Sequence, residues 1–476
     1  MFRRAVTLLL LTLVAPGSAQ LLVGHRGVGR VALKVAGGVV GLAVTLALLG
    51  LVSPGTLVGL LANPAVLRVV HATLIVLAVA WVALFIDAWR LGVPLALRQR
   101  QRLVSTIVTV VLATVAMSAV LTSSHYVTVA RQSLSTIFAG TEPKDPYAGR
   151  YNILLLGADA GPGRVGLRPD SITLVSVEET SGRTAMFSFP RNLQRVRFPA
   201  GTVMHRQFPD GFSCGDDCLL NSIYTWATDH KELFPGVDDP GIEATKDAIR
   251  GLTGLTVHYY ALIDMAGFEE LVDAVGGITI DVGRDVPITG PGGVHRGTIK
   301  AGRQHMDGYT ALWFARSRAG TSDYDRMARQ RCVLGAMLDQ LDPATVALKF
   351  RQIAGAGQRI VSTDIPASKL GAFVDLALKA RNHPIVSVQF VPPLIKPARP
   401  DFDLIKEKVR EAIEVATTPD ESETPSTGTT ASGGSSTSGS SADPAKSTGA
   451  GTPASGESGE RDGIDTLGSA CAVSRD

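Results

Sequence analysis

The sequence predicts a membrane-anchored α/β protein in which several apolar helices lead into a domain whose helices cover both faces of a mostly buried sheet. Three observations carry this reading. Apolar residues crowd before residue 130, where the stretches 35–67, 69–86 and 103–130 hold no charged residue. Between residues 151 and 391, short apolar runs bounded by Gly, Pro or Asp alternate with stretches of helical period, as buried strands and their covering helices do. From residue 417 onward Ser, Thr, Gly and Pro dominate, and so little apolar surface cannot offset the entropy of folding.

The three uncharged stretches are each long enough to cross a bilayer, so the lipid bilayer is the first expected partner. A shorter apolar segment, 5–23, precedes them and is broken by Pro16, Gly17 and Ser18. With Arg3, Arg4 and the small pair Ser18 and Ala19 it has the look of a signal peptide. Cleavage there would strand Arg26, Arg30 and Lys34 outside, against the positive-inside rule, so an uncleaved re-entrant or interfacial segment is expected. Those residues and Arg90, Arg98, Arg100 and Arg102 then lie in the cytoplasm, the 53–63 connection lies outside, and everything after residue 130 is extracytoplasmic. A fully spanning first segment gives the same placement for the domain, leaving three or four spans.

Strands are predicted at 151–157, 171–177, 184–189, 257–264 and 277–282, and helices at 219–233, 241–252, 266–275 and 323–340. Helices at 344–361, 367–381 and 402–416 and a strand at 385–391 follow. The expected organisation is a membrane region over 1–130, a linker over 131–150, a catalytic domain over 151–345, an extension of it over 346–416 and a disordered tail over 417–476. A net charge of +3 on 476 residues gives no global nucleic-acid footprint, and no nucleic-acid partner is expected.

Two segments carry candidate chemistry. Residues 315–332 crowd five arginines, two aspartates and a glutamine into eighteen positions. Helical spacing puts Arg326, Arg329 and Gln330 on one face, with Arg316 and Arg318 just upstream. Guanidinium forks match phosphate oxygens, so their convergence points to a ligand of dense negative charge, against the alternative of a solvated, salt-bridged helix face. Far upstream, the first strand runs into Asp159, a glycine-rich loop, and then Arg168, Pro169 and Asp170 at the next strand. Two carboxylates at neighbouring strand ends suit a hard divalent ion such as Mg²⁺ (or Mn²⁺), although Asp in such loops is also ordinary turn chemistry.

The ordered blocks Asn152–Asp159, Arg168-Pro-Asp170, Phe189-Pro-Arg191, Leu220-Asn221, Leu271–Gly277, Gly302–Gly308, Arg316-Ser-Arg318 and Asp323–Gln330 resemble the motifs of the LytR-CpsA-Psr family. The resemblance spans roughly residues 151–341, and the several apolar segments ahead of it look like an actinobacterial version. It implies an α-β-α sandwich with a central mixed sheet. It also implies a phosphotransferase that moves a polyprenyl-pyrophosphate-linked glycan onto peptidoglycan. Carried over by position, it makes Asp159 and Asp170 metal ligands and Arg316, Arg318, Arg326 and Gln330 pyrophosphate-binding residues. Arg168 and Arg191 become catalytic arginines and Asp323 an aspartate near the reaction centre. Two departures stand out: Asn192 and Asp325, where the family commonly has Asp and Gly. A polyprenyl-pyrophosphate pyrophosphatase and a non-catalytic carrier-binding scaffold are the competing readings.

Cys214 and Cys218 could close a local disulfide, Cys332 reads as a buried helix residue and Cys471 sits in the tail. Asp307-Gly308 reads as a turn and helix start, and His71 inside a span stays unexplained.

Overall fold

A computed structural model describes residues 2–23, 25–138, 142–158, 168–215, 217–289, 294–340, 361–418 and 463–467. Helices α1 (Phe2–Val14) and α2 (Ser18–Val23) meet at the break around Gly17. They are followed by α3 (Arg26–Val52), α4 (Pro54–Ala62), α5 (Pro64–Leu91) and α6 (Gln99–Ile137). Three segments, Arg26–Val52, Pro64–Ala96 and Gln99–Val129, are long and apolar enough to cross a membrane. With 13 residues α1 is too short to span. It packs through Leu8 and Leu9 against Phe85 and Ala88 of α5 and Ala116 of α6, with Trp81 Nε1 donating to Thr12 O at 3.2 Å. The uncharged run 35–67 is therefore not one rod. Ser53 ends α3, and Pro54 and Pro64 each open a new helix.

The domain continues with β1 (Arg150–Ala158), β2 (Pro169–Glu178), β3 (Thr184–Phe189), α7 (Val203–Gln207), α8 (Ser222–Asp229), α9 (Pro240–Thr253), β4 (Tyr259–Asp264) and α10 (Met265–Val275). Next come β5 (Ile278–Val282), β6 (Val286–Thr289), β7 (His295–Ile299), β8 (Gly302–Met306), α11 (Gly308–Arg316) and α12 (Asp323–Gln340). Strand β9 (Val361–Thr363), α13 (Leu370–Ala380), β10 (Val386–Gln389), α14 (Phe402–Thr417) and β11 (Ile464–Thr466) complete it. One mixed sheet of seven strands runs β11-β10-β3-β2-β1-β4-β9. Strand β1 is antiparallel to β2 and parallel to β4, while β3 is parallel to β10.

Side chains alternate across this sheet as the pleat requires. Leu154, Leu156, Ile172 and Leu174 face the main core under α8, α9 and α14. Val175 and Met186 face Leu334 and Leu338 of α12, and Tyr151, Val177 and Tyr259 face Leu376 of α13. Helices therefore cover both faces, as expected. The stretch 277–282 forms a strand, but β5 pairs with β8 outside the main sheet and closes a second core with α10, α11 and α12. The helix expected at 344–361 falls almost wholly outside the described residues. Strand β10 lies inside the sheet, so the segment after α12 is integral to the domain.

The tail expectation needs correcting at its far end. Residues 464–466 pair antiparallel with β10, and Leu467 is buried against Gly335 of α12. The run Ile464-Asp465-Thr466-Leu467 is short, but it places two apolar side chains at an open sheet edge, where unpaired backbone groups also wait. Cys214 and Cys218 form the local disulfide, and Cys332, besides being buried, is disulfide-bonded.

The domain is docked on the membrane helices through α4 and α13. Gly55 N donates to Asp375 Oδ1 at 3.0 Å, and a Cβ at Gly371 would lie 2.4 Å from Gly55 O. Only glycine permits so close an approach. Leu370 packs beside Ala62, Leu67, Val127 and Phe138 at the same seam.

Candidate active site

Strand ends and one helix start build the site. Strand β2 begins with Pro169-Asp170, next to the end of β1. Pro190 ends β3 and turns the chain so that Arg191 points back toward Asp170. The turn is pinned from behind: Asn221 N donates to Arg191 O at 3.1 Å and Leu220 N to Leu193 O at 2.8 Å. Arg318 lies in the loop between α11 and α12, and Asp323 and Arg326 occupy the first turns of α12.

Five of the residues singled out in the sequence meet here. Arg191 Nη1 donates to Asp170 Oδ1 at 2.8 Å, and its Nε lies 3.7 Å from Asp323 Oδ2. Arg318 lies 3.7 Å from Asp170 Oδ2 and 3.3 Å from Asp323 Oδ1. Arg326 Nη2 donates to Asp323 Oδ2 at 3.0 Å. Three guanidiniums thus share two carboxylates, leaving an excess of positive charge. Gln330 lines a narrow crevice between β2 and α12 with Asp170, Thr173, Ser188, Phe189 and Arg331. Arg168 stands exposed just ahead of β2. Arg316 turns another way, with its guanidinium 5.5 Å from the centre of the Trp313 ring. Asp159 lies outside the described residues.

The arginines differ in environment. Burial lowers the Arg191 pKa, but the hydrogen bond and charge of Asp170, then Asp323, more than offset it and leave it raised. Arg326 is buried, and desolvation outweighs Asp323, so its pKa is lowered. Among the described residues its Nε makes no hydrogen bond, and neither does Asp323 Oδ1. A buried cation that keeps an open donor beside a shared carboxylate is organised for something more than a simple pair.

Arg329, which helical spacing groups with Arg326 and Gln330, has a structural task instead. Its side chain is buried, its Nε donates to Phe314 O at 2.8 Å, and its Nη2 donates to Ser317 O and, at 3.4 Å, to Thr321 Oγ1. It therefore ties the end of α11 and the loop carrying Arg318 to α12. Nothing in its spacing separates it from Arg326; their partners do, backbone carbonyls for Arg329 and the Asp323 carboxylate for Arg326. The departure at Asp325 has a local explanation that was legible as Ser-x-x-Asp. Ser322 Oγ accepts from Asp325 N at 3.1 Å, and Asp325 Oδ2 accepts from Ser322 N at 2.8 Å, a capping box at the start of α12. The hydrogen bond from the Ser322 side chain, aided by Arg284, holds the Asp325 carboxyl below the usual carboxylate range. Asn192 is exposed, and Arg191 takes its orientation from Asp170 and Asp323 instead.

Among the described residues no group of three or more His, Cys, Asp and Glu forms a metal cage. Asp170 still suits a hard divalent ion, which needs only one or two carboxylates and completes its shell with water and phosphate.

The TagU teichoic acid transferase of Oceanobacillus iheyensis is 29% identical over 240 residues, covering 49% of this chain and 64% of that protein. The cell wall biosynthesis protein LcpA of Corynebacterium glutamicum is 33% identical over 144 residues, covering 29% of this chain and 27% of its own length. The chain thus spans less than two-thirds of either. Among solved structures, Bacillus subtilis TagV aligns at 22% identity over 57% of this chain and 100% of that one, with a TM-score of 0.41. A structure of TagT bound to LIIa-WTA aligns at 18% over 58% and 94%, with a TM-score of 0.40. The profile of the LytR_cpsA_psr family matches residues 111–392, more than half of the sequence, and the chain belongs to that family.

Proposed function

We propose that this protein transfers a glycopolymer from a polyprenyl-pyrophosphate carrier to peptidoglycan on the outer face of the cytoplasmic membrane. The observation that carries the proposal is the meeting of Arg191, Arg318 and Arg326 around Asp170 and Asp323, from three separate segments. Preorganised guanidiniums of this kind stabilise charge that develops on a transferring phosphoryl group. The names of the relatives, a polyisoprenyl-teichoic acid to peptidoglycan transferase and a cell wall biosynthesis protein, agree with it.

In this reading Arg191 and Arg318 hold the non-bridging oxygens of the pyrophosphate, while Asp323 fixes the spacing of all three guanidiniums. Asp170 and Asp159 would hold Mg²⁺, which supplies neutralisation of the pyrophosphate charge when bound. A peptidoglycan hydroxyl attacks the phosphorus bearing the glycan, the bond to the bridging oxygen breaks, and polyprenyl phosphate leaves. Placement outside the cell is supported by the contact of α13 with α4, the connection that lies opposite the arginine-rich loop at 90–102.

The test is incubation of the purified full-length protein with lipid-linked glycan, Mg²⁺ and peptidoglycan oligomers, read by mass spectrometry. A phosphodiester-linked glycan-peptidoglycan product is expected. Release of glycan phosphate alone identifies a pyrophosphatase, and carrier binding without turnover a scaffold; either overturns the proposal.

A further inference from the structure

Helix α11 carries a feature that phosphate chemistry does not use. Tyr309, Trp313 and Arg316 are spaced four and three residues apart and so share one face, a row roughly 10 Å long at 1.5 Å per residue. Tyr309 is 42% exposed, Trp313 is partly exposed, and their rings meet edge-on with centroids 6.1 Å apart. The Arg316 guanidinium closes one end of the row over Trp313. Glu269 of α10 stands beside it, brought close because α10 and α11 cross where a Cβ on Gly308 would come within 2.1 Å of Glu269 O. The Glu269 carboxyl is raised by burial and by its neighbours Asp273 and Asp307, with Arg316 opposing. Asp273 Oδ1 is engaged by Gly308 N at 2.7 Å, so Glu269 is the carboxylate that remains at the rim.

We propose that the Tyr309-Trp313-Arg316 face of α11 is a carbohydrate subsite that stacks the sugar rings next to the phosphate held by Arg318. It rests on the reading of the arginine cluster as a pyrophosphate site. A pyranose presents a C–H face that packs on an aromatic ring and a rim of hydroxyls that need donors and acceptors. The row supplies both, with two rings flanked by a guanidinium and a carboxylate. Its length suits a disaccharide, and the row ends two residues before Arg318, one short loop from the arginine cluster. An isoprenoid chain fits it poorly, since the charged groups of Arg316 and Glu269 stand at its edge. The sugar can belong to the donor glycan or to the acceptor strand, and the chemistry is the same for both.

Isothermal titration of the full-length protein in detergent separates the sources. Chitotetraose stands for the acceptor strand, and a short polyprenyl pyrophosphate with and without one N-acetylglucosamine stands for the donor. Trp313→Ala should weaken at least one sugar-bearing probe by about tenfold, Trp313→Phe by much less, and the sugar-free carrier by less than about twofold. The exposed Tyr309→Ala should weaken the same probe with an unchanged melting temperature. Loss confined to chitotetraose assigns the subsite to the acceptor, and loss confined to the glycosylated carrier assigns it to the donor. Equal affinities in wild type and Trp313→Ala for both sugar probes, or an equal loss for the sugar-free carrier, overturn the proposal. Arg318→Ala tests the underlying reading separately. If it leaves the sugar-free carrier bound as in wild type, the pyrophosphate site fails, whatever Trp313 does.

Discussion

Replacing Arg326 with Ala is the perturbation on which sequence and structure disagree in sign. Crowded arginines in the sequence predict mutual repulsion, so that removing one leaves the free protein as stable or slightly more so. In the fold the Arg326 side chain is 3% exposed and 3.0 Å from Asp323. Removing one partner of a buried pair costs about 3–5 kcal/mol. Two features reduce this. Asp323 keeps Arg318 at 3.3 Å and Arg191 at 3.7 Å and is 26% exposed, and the mutation also relieves the desolvation that lowers the Arg326 pKa. Lost packing of the aliphatic stem adds about 0.8 kcal/mol per buried methylene. A net loss of about 2 kcal/mol follows, or roughly 4–8 °C in melting temperature for a domain of this size. Arg326→Met keeps the stem and should recover part of the loss, while binding of a polyprenyl pyrophosphate stays about tenfold weaker in both variants. Thermal unfolding and titration on the two proteins decide the matter. An unchanged or raised melting temperature for Arg326→Ala would refute the argument from burial.

Deleting residues 463–476 should lower the melting temperature by several degrees, because it uncovers β10 and removes buried Leu467, whereas deleting 425–455 alone should change it little; equal effects would show that β11 does not dock. Burial, with Glu243 adding, pushes the Asp247 carboxyl up to about 6 against Arg250 and Lys246, so its contribution to stability is full below about pH 4 and lost as pH rises through about 6. Asp247→Asn should therefore gain on wild type by about 1–3 kcal/mol as pH rises from 4 to 7, and parallel stability profiles would count against it. Gly371→Leu should separate α13 from α4 and raise amide exchange on both helices while leaving the arginine cluster protected; unchanged exchange would place the docking surface elsewhere. A phosphatase reporter fused after Ala130 should be active outside the cell and one fused near Arg98 inactive, with the reverse pattern sinking the orientation.

Much of the fold was legible because burial leaves periodic marks. The runs at 151–157 and 171–177 alternate between two covered faces, and α9, with Asp239 capping it and Gly254 ending it, shows both of its boundaries in the sequence. Strand β11 was not legible, since three residues after a long Ser/Thr/Gly-rich sequence are too few to carry a period of their own. The pairing partner of 277–282 was equally hidden, because an isolated strand does not state its neighbour. At the site, Asp170, Arg191, Arg318, Asp323 and Arg326 were all visible as charges.

By itself the sequence determined composition and local periodicity, and from these the apolar helices, the alternating strands and helices, and the charged residues at strand ends and at the start of α12. Only the tertiary structure decided which charges share an environment. It buries Arg326 and Arg329 but leaves Arg318 at the surface, turns Arg316 toward Trp313, and spends Asp325 on capping a helix. The physical reason is that charge and spacing are local properties, written residue by residue. Desolvation and pairing depend on what other segments bring to the same place, and that is settled only when the chain has packed.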